Sequence, residues 1–265
     1  MRTLGLAALA LTLVGGACLG QELPEPQQLR AAQDDIGYAE LLNAAGFTTE
    51  QLGGLQDIQT RFEAEGLVPP DVAAVLTKVL AAVLSGMSMQ QAHASLGEQQ
   101  QVLQQAQQRW GQSLQQGTDE LQKLLTEEQK DALVWFSSPA HALDNVVEMA
   151  AGARGIPEAQ WGPRRGQFGM AVSQMLSQMS PGGGVTPQQI ETLLDQVRAL
   201  DDATFEAQRA TLAQTWLPTL MPNVAQMLQD PPFRQRQLQQ VCQRLIAYER
   251  GAQLVAAKAE ATAAD

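Results

Sequence analysis

The segment that decides the fold reads Leu121-Gln122-Lys123-Leu124-Leu125-Thr126-Glu127-Glu128-Gln129-Lys130. Its centre, residues 125–129, is a pentad: an apolar residue, then Thr, then any residue, then Glu or Gln, and last Gln. The same pentad recurs at residues 47–51 and 185–189. In a capping box, a Thr hydroxyl accepts from the backbone N–H three residues on, and a Gln side chain reaches back to the Thr N–H. Each pentad therefore predicts a helix start, with these capping pairs: Thr48 and Gln51, Thr126 and Gln129, Thr186 and Gln189.

The sequence around the pentads extends this prediction to the whole chain. Gln is heavily used, and together Ala, Leu, Gln and Glu favour helices, whereas no segment alternates with period two for long enough to suggest a strand. Regularly spaced Gly, Pro and Ser residues divide the chain into segments of helical length. We expect an all-α fold of long amphipathic helices, joined by short loops into two helical units at 21–137 and 138–265.

Residues 1–20 have the order of a secretory signal peptide. Arg2 supplies a positive charge, Leu4–Val14 is an uncharged apolar run, and small residues follow up to residue 20. The apolar run is too short to span a bilayer, so we expect no transmembrane span in the mature chain. Cleavage before Gln21 would give a periplasmic or secreted protein. Cleavage before Cys18 would instead allow a lipoprotein anchored through that cysteine.

The charge balance excludes several classes of function. The chain carries 17 Lys and Arg against 28 Asp and Glu, a formal net charge of −11, and only two His. A nucleic-acid partner is not expected, because neutralising phosphates requires a basic face. Nothing resembles a nucleophile with its base and orienting group, or a metal-ligand cluster. We therefore expect no catalytic residues, no metal and no cofactor, and predict that the protein is not an enzyme.

A seven-residue repeat of apolar residues precedes the second pentad. It predicts one continuous helix over 89–124 with a narrow apolar seam. Either other helices of the same chain or a second copy must cover this seam, and the homodimer is the favoured alternative. We expect the protein-binding residues to lie along the seam and just before it: Met87, Met89, Leu96, Leu103 and Trp110.

The stretch 121–130, together with Phe47-Thr48-Thr49-Glu50-Gln51, resembles the LTXXQ-motif periplasmic proteins, the family of the Spy and CpxP envelope-stress proteins. The resemblance covers roughly residues 37–137. It implies a thin four-helix protomer, often paired into a curved dimer, that binds partly unfolded proteins without ATP or senses envelope stress. This chain differs from that pattern in being strongly acidic and about twice the expected length.

These observations together predict an exported binding protein. Its partners would be unfolded or envelope proteins, and its activity would be that of an ATP-independent chaperone or a stress-response protein. The alternative is a non-catalytic helical scaffold or a self-assembling envelope protein. A chaperone should suppress the aggregation of several unrelated proteins, whereas a scaffold should bind one partner or none.

Overall fold

The computed structural model describes residues 26–66, 70–94, 97, 99–179 and 185–264. The fold is all-α, as expected: regular secondary structure in these ranges is entirely helical. The expected signal peptide, with Cys18 and the boundary at Gln21, lies outside the described residues. Within the described ranges, no helix combines the length and the apolar character that a membrane crossing needs.

The helices follow one another through short connections. In chain order they are α1 (Pro26–Ala45), α2 (Thr49–Gly66), α3 (Pro70–Leu84), α4 (Met89–Ala94), α5 (Gln99–Leu124), α6 (Glu127–Ser137), a 3-10 turn (Pro139–His141), α7 (Ala142–Arg154), α8 (Glu158–Met179), α9 (Pro187–Ala199), α10 (Asp202–Leu220), α11 (Pro222–Gln229), α12 (Pro231–Ala247) and α13 (Gly251–Ala264). Backbone contacts divide the chain into two units, 1–37 and 38–265. The second unit contains all the packing described below.

The buried apolar residues of the second unit form two large cores. The first core joins residues between Tyr38 and Val134 to residues between Leu238 and Val255. The second core lies between Ala140 and Val224. The boundary expected at residues 137 and 138 falls between the two cores, but the first core also includes residues of α12 and α13, which return to the N-terminal helices. Their buried residues, such as Leu245 and Val255, extend the first core and not the second.

A buried polar cluster fixes that return. The Tyr38 hydroxyl donates to the carbonyl oxygen of Leu245 at 2.8 Å, and the Gln59 amide donates to both the Tyr38 oxygen (2.8 Å) and the Leu245 oxygen (2.7 Å). The Tyr248 ring stacks on the Tyr38 ring, with 4.7 Å between the ring centroids. Burial raises the pKa of Tyr38 well above its usual range. Because buried polar groups need partners, this cluster specifies how α12 and α13 sit against α1 and α2.

The prediction of one continuous helix over 89–124 is wrong, because this segment forms two separate helices, α4 and α5. Gly97 adopts a left-handed conformation with φ of +53°, which ends a helix and which residues with a β-carbon rarely adopt. The remaining helix, α5, has 26 residues. The predicted binding residue Leu96 lies outside the described residues.

The buried face of α5 differs from the predicted seam. Its buried residues are Leu103, Leu114, Gly117, Thr118 and Leu121. Trp110 and Leu124, which the heptad placed in the seam, are 46% and 39% exposed. The apolar stripe therefore follows the 3.6-residue period of a packed helix and shifts by one position along its length.

Helices of the same chain cover the C-terminal half of α5. A β-carbon added at Gly117 would lie 3.1 Å from Ile58 of α2 and 3.3 Å from Ile246 of α12. The small residue thus permits a close helix approach. This coverage removes the seam as an argument for a homodimer, which stays a prediction.

Arginine side chains connect the helices of the second core. Arg198 of α9 lies over the Trp161 ring of α8 at 4.6 Å and pairs with Glu158 at 3.0 Å. Trp161 in turn donates from its indole nitrogen to Asp195 at 2.8 Å. Bonds from Arg154 to the Leu200 carbonyl (2.9 Å) tie α7 to the end of α9. These contacts satisfy helix-terminal carbonyls as well as charges.

Replacing Gly251 by Ala should destabilise the protein. The added β-carbon would lie 2.5 Å from the Gln59 amide nitrogen and 3.1 Å from the Tyr38 oxygen, so the buried cluster must shift. We expect a loss of about 1–3 kcal/mol in the free energy of unfolding. Gly111→Ala is the matched control: nothing lies within 4 Å of its added β-carbon, and better helix propensity should stabilise it by about 0.5–1 kcal/mol. Denaturant unfolding of both variants tests this, and equal changes would contradict it.

Candidate functional site

The first two pentads meet in space through their glutamines. The Gln51 amide donates to the Gln129 side-chain oxygen at 2.8 Å, and the Gln129 amide donates back to the Gln51 oxygen at 2.9 Å. Each amide also donates to the backbone carbonyl that precedes the other pentad, Gln51 to Leu124 (2.6 Å) and Gln129 to Gly46 (3.1 Å). The arrangement is reciprocal, since Gly46 and Leu124 hold equivalent positions in the two repeats.

The same glutamines also cap their own helices. The backbone N–H of Thr48 donates to the Gln51 side-chain oxygen at 3.0 Å, and that of Thr126 donates to the Gln129 oxygen at 3.0 Å. In return, each threonine hydroxyl accepts from the glutamine backbone N–H, at 3.2 and 3.3 Å. Each amide group thus donates two hydrogen bonds and accepts two, which uses its full capacity. The pentads therefore fix α2 and α6 to each other as well as starting them.

The third pentad caps a helix without such a partner. Thr186 is the N-cap of α9, with both bonds of a capping box to Gln189 and with Pro187 in the first turn. Among the described residues, no hydrogen bond joins Gln189 to another pentad. The structure thus brings together four of the six predicted capping residues. Thr186 and Gln189 are exposed at the start of α9, beside the second core.

A separate apolar hairpin carries most of the predicted binding residues. We define it as α3, α4 and residues 99–110 of α5. It has a small core of its own, in which Val75 and Val79 of α3 are buried with Leu103 of α5. The Lys78 ammonium donates to the Gln99 side chain at 3.4 Å near the end of the hairpin. The next buried residue along α5 is Leu114, which belongs to the first core.

The end of the hairpin presents a group of large exposed apolar side chains. The exposed patch consists of Leu80 (59% exposed), Leu84 (78%), Met87 (47%) and Met89 (56%). Leu80 and Leu84 share one face of α3, because they are four residues apart on a helix. Isolated exposed apolar residues are ordinary, whereas a group of four large ones is unusual on the surface of a protein.

A tight turn holds the two halves of the exposed patch together. The backbone N–H of Met87 donates to the Ala82 carbonyl at 3.1 Å, and that of Gly86 donates to Val83 at 3.0 Å. This is the Schellman pattern, and Gly86 supplies the positive φ, +96°, that it requires. Ser88 then caps α4 by accepting from the Gln91 N–H at 3.2 Å. Met87 and Met89 are thereby held next to the last turn of α3.

The five residues predicted to bind proteins do not form one surface. Met87 and Met89 belong to the exposed patch, whereas Leu103 is buried beneath it in the hairpin core. Trp110 lies at the base of the hairpin, half-exposed, with its ring edge-on to Phe62 at 5.9 Å. Leu96 is outside the described residues.

The sequence did not identify Leu80 as an exposed apolar residue, because its segment is apolar nearly all round. The spacing of valines and leucines over 71–84 indicates a core helix, and it gives no sign of which face stays uncovered. Thr77 is the available signal, because it lies three residues before Leu80 and seven before Leu84, and a polar residue on that face indicates a solvent side.

Two pairs of adjacent acidic residues, Glu127-Glu128 and Asp201-Asp202, lie at helix starts. Asp201 caps α10 by accepting from the Thr204 N–H at 2.8 Å, and this backbone hydrogen bond lowers the pKa of Asp201. Glu127 and Glu128 lie in the first turn of α6. His141 contacts Asp144 at 3.0 Å, and Asp144 accepts from the Trp135 indole at 2.8 Å. In the part of the chain that the structure describes, no three His, Cys, Asp or Glu residues group as a metal site.

A surface groove and a buried cysteine were the other candidate sites, and neither has the arrangement of a reactive site. An open groove of about 470 Å³ lies between α11 and α12 and is lined by Met227, Phe233 and Arg236 among others, but Asp230 on its wall is the N-cap of α12. Cys242 is fully buried in the first core, and burial raises the pKa of its thiol to about 12. The thiol is therefore protonated and shielded, which suits a packing residue.

Comparison with protein-family models, with curated proteins and with solved structures gave no match. The geometry of the paired pentads and of the exposed patch therefore carries the functional argument.

A double-mutant cycle tests whether the first two pentads act as one unit. We expect Gln51→Ala and Gln129→Ala each to lower the free energy of unfolding by about 2–3 kcal/mol, because each removes part of a cap, a bond to the other pentad's carbonyl and both bonds between the two amides. The double variant should lose about 1 kcal/mol less than the sum. Gln189→Ala, a cap without a partner pentad, is the control and should cost about 1 kcal/mol. Strict additivity of the first two changes would show that the pentads cap independently.

Proposed function

We propose that this protein is exported and binds partly unfolded proteins, without catalysing a reaction. The observation that carries the proposal is the exposed patch of two leucines and two methionines at the end of the apolar hairpin. Methionine side chains are flexible and polarizable, so a surface that contains them adapts to partners of different shape. Such a surface suits unfolded chains, which expose apolar side chains in no fixed arrangement.

Two features of the sequence support the cellular setting of this proposal. The first twenty residues have the pattern of a secretory signal peptide. The pentads at 47–51 and 125–129 carry the resemblance to LTXXQ-motif periplasmic proteins, and the structure pairs those two repeats through Gln51 and Gln129. An ATP-independent chaperone or envelope-stress protein in the periplasm fits both features.

A helical scaffold is the second candidate function. It is favoured by the way the first core closes on itself, with Ile58 and Ile246 of the same chain packed at Gly117. A closed core of this kind is compatible with a rigid scaffold and with a chaperone. The two functions differ in what the exposed patch binds: many unfolded proteins, or one folded partner.

Suppression of aggregation tests the proposal. The purified protein should slow the aggregation of several unrelated proteins diluted from denaturant, measured by light scattering. We expect Leu84→Ser with Met87→Ser to remove most of this effect, because both side chains belong to the exposed patch. Met170→Ser is the matched control, since Met170 is 60% exposed on α8, outside the hairpin.

Two results would contradict the chaperone proposal. One is full activity in the patch variant, which would place binding elsewhere. The other is an absence of activity in the wild-type protein against every unfolded protein tried, which would favour the scaffold. Because all three substituted side chains are exposed, circular dichroism and denaturant unfolding should show unchanged folds in both variants.

A further inference from the structure

The exposed patch lies in an electrically neutral part of an acidic protein. Residues 70–116 contain two acidic and two basic side chains, so their formal charges cancel, whereas the whole chain carries −11. The preceding stretch, 38–69, contains five acidic residues and one arginine. The following stretch, 117–137, contains five acidic residues and two lysines. The neutral hairpin is therefore flanked in sequence by acidic segments on both sides.

The fold places one acidic segment against the base of the hairpin. The ring of Phe62 in α2 packs edge-on against the ring of Trp110 in α5, with 5.9 Å between the ring centroids. The C-terminal end of α2 therefore lies at the base of the hairpin. Glu63 follows Phe62 directly and is exposed, and Asp57 is exposed on the same helix. Arg61, the one basic residue of α2, pairs with Glu120 of α5. Its charge is thus already matched by a carboxylate.

We propose that the protein selects basic unfolded chains, in which lysine or arginine residues are interspersed with apolar ones. This inference rests on the proposed function, since it names the class of partner that the exposed patch takes. Apolar side chains of the partner would contact Leu80, Leu84, Met87 and Met89. Its cationic side chains would lie towards the exposed carboxylates of α2, Asp57 and Glu63.

The charge of the whole chain supports the same selection. A net charge of −11 attracts cationic chains from a distance and repels anionic ones, which changes the encounter rate and the affinity in the same direction. A second copy of the protein is a less favourable occupant of the patch, because it would bring another −11 charge close to the first. Charge complementarity therefore favours a basic partner over self-association.

Three matched peptides test this selection with the full protein. Each is an unstructured peptide of about twenty residues with the same apolar positions, and the remaining variable positions are Lys, Gln or Glu. We expect the Lys peptide to bind at least about tenfold more tightly than the Glu peptide at low salt, measured by fluorescence anisotropy. The difference should shrink towards parity near 1 M NaCl, where the screening length is only about 3 Å.

A second experiment neutralises the two exposed carboxylates of α2. Asp57→Asn with Glu63→Gln should weaken binding of the Lys peptide about two- to tenfold and should leave the Gln peptide unchanged. Glu158→Gln with Glu206→Gln is the control, because it removes the same charge from exposed side chains of α8 and α10. The control should change Lys-peptide binding by less than about twofold.

The outcomes separate this inference from the proposed function. If the Gln and Glu peptides bind as tightly as the Lys peptide, charge selection is wrong while patch binding stands. If no peptide binds, both proposals are wrong. If light scattering shows a dimer that Leu84→Ser with Met87→Ser dissociates, the patch is a self-association surface and the basic partner is excluded.

Discussion

The reciprocal amide pair between Gln51 and Gln129 joins two helix starts that are 78 residues apart in the chain. Each amide uses all of its hydrogen-bonding capacity, on its own cap, on the other glutamine and on the carbonyl before the other pentad. Neither glutamine can move without leaving polar groups unsatisfied. The start of α2 is therefore fixed beside the end of α5, and α2 must run back along α5.

That alignment determines where the first core can form. Close packing begins where a β-carbon on Gly54 would lie 2.8 Å from Leu124, continues at Gly117 against Ile58, and ends where Phe62 meets Trp110. Beyond that point α5 extends past α2, and α3 packs on this extension with only a small core of three buried residues. The hairpin thus depends on the amide pair for its position but not for its own packing. Because its buried apolar area is small, we expect it to open locally more readily than the first core.

Local sequence signals predicted the helical content and the helix starts, because capping depends on residues three apart. They did not predict that two of the pentads meet. One clue was available: a capping glutamine uses only its oxygen, so its amide nitrogen needs another acceptor. The heptad spacing did not predict the break at Gly97, because the spacing of apolar residues does not report the left-handed backbone conformation that this glycine adopts. The return of α12 and α13 is set by Tyr38, Gln59 and Leu245, and their contacts span up to 207 residues.

We propose that unfolded chains bind at the end of the hairpin while the paired pentads keep the rest of the fold unchanged. Amide hydrogen exchange of the full protein, with and without the Lys peptide described above, tests this claim most directly. In the peptide complex we expect slower amide exchange over residues 77–94 and the beginning of α5, and unchanged exchange rates in α8 to α10. Protection confined to the second core, or a general loss of protection around Gln51 and Gln129, would contradict it.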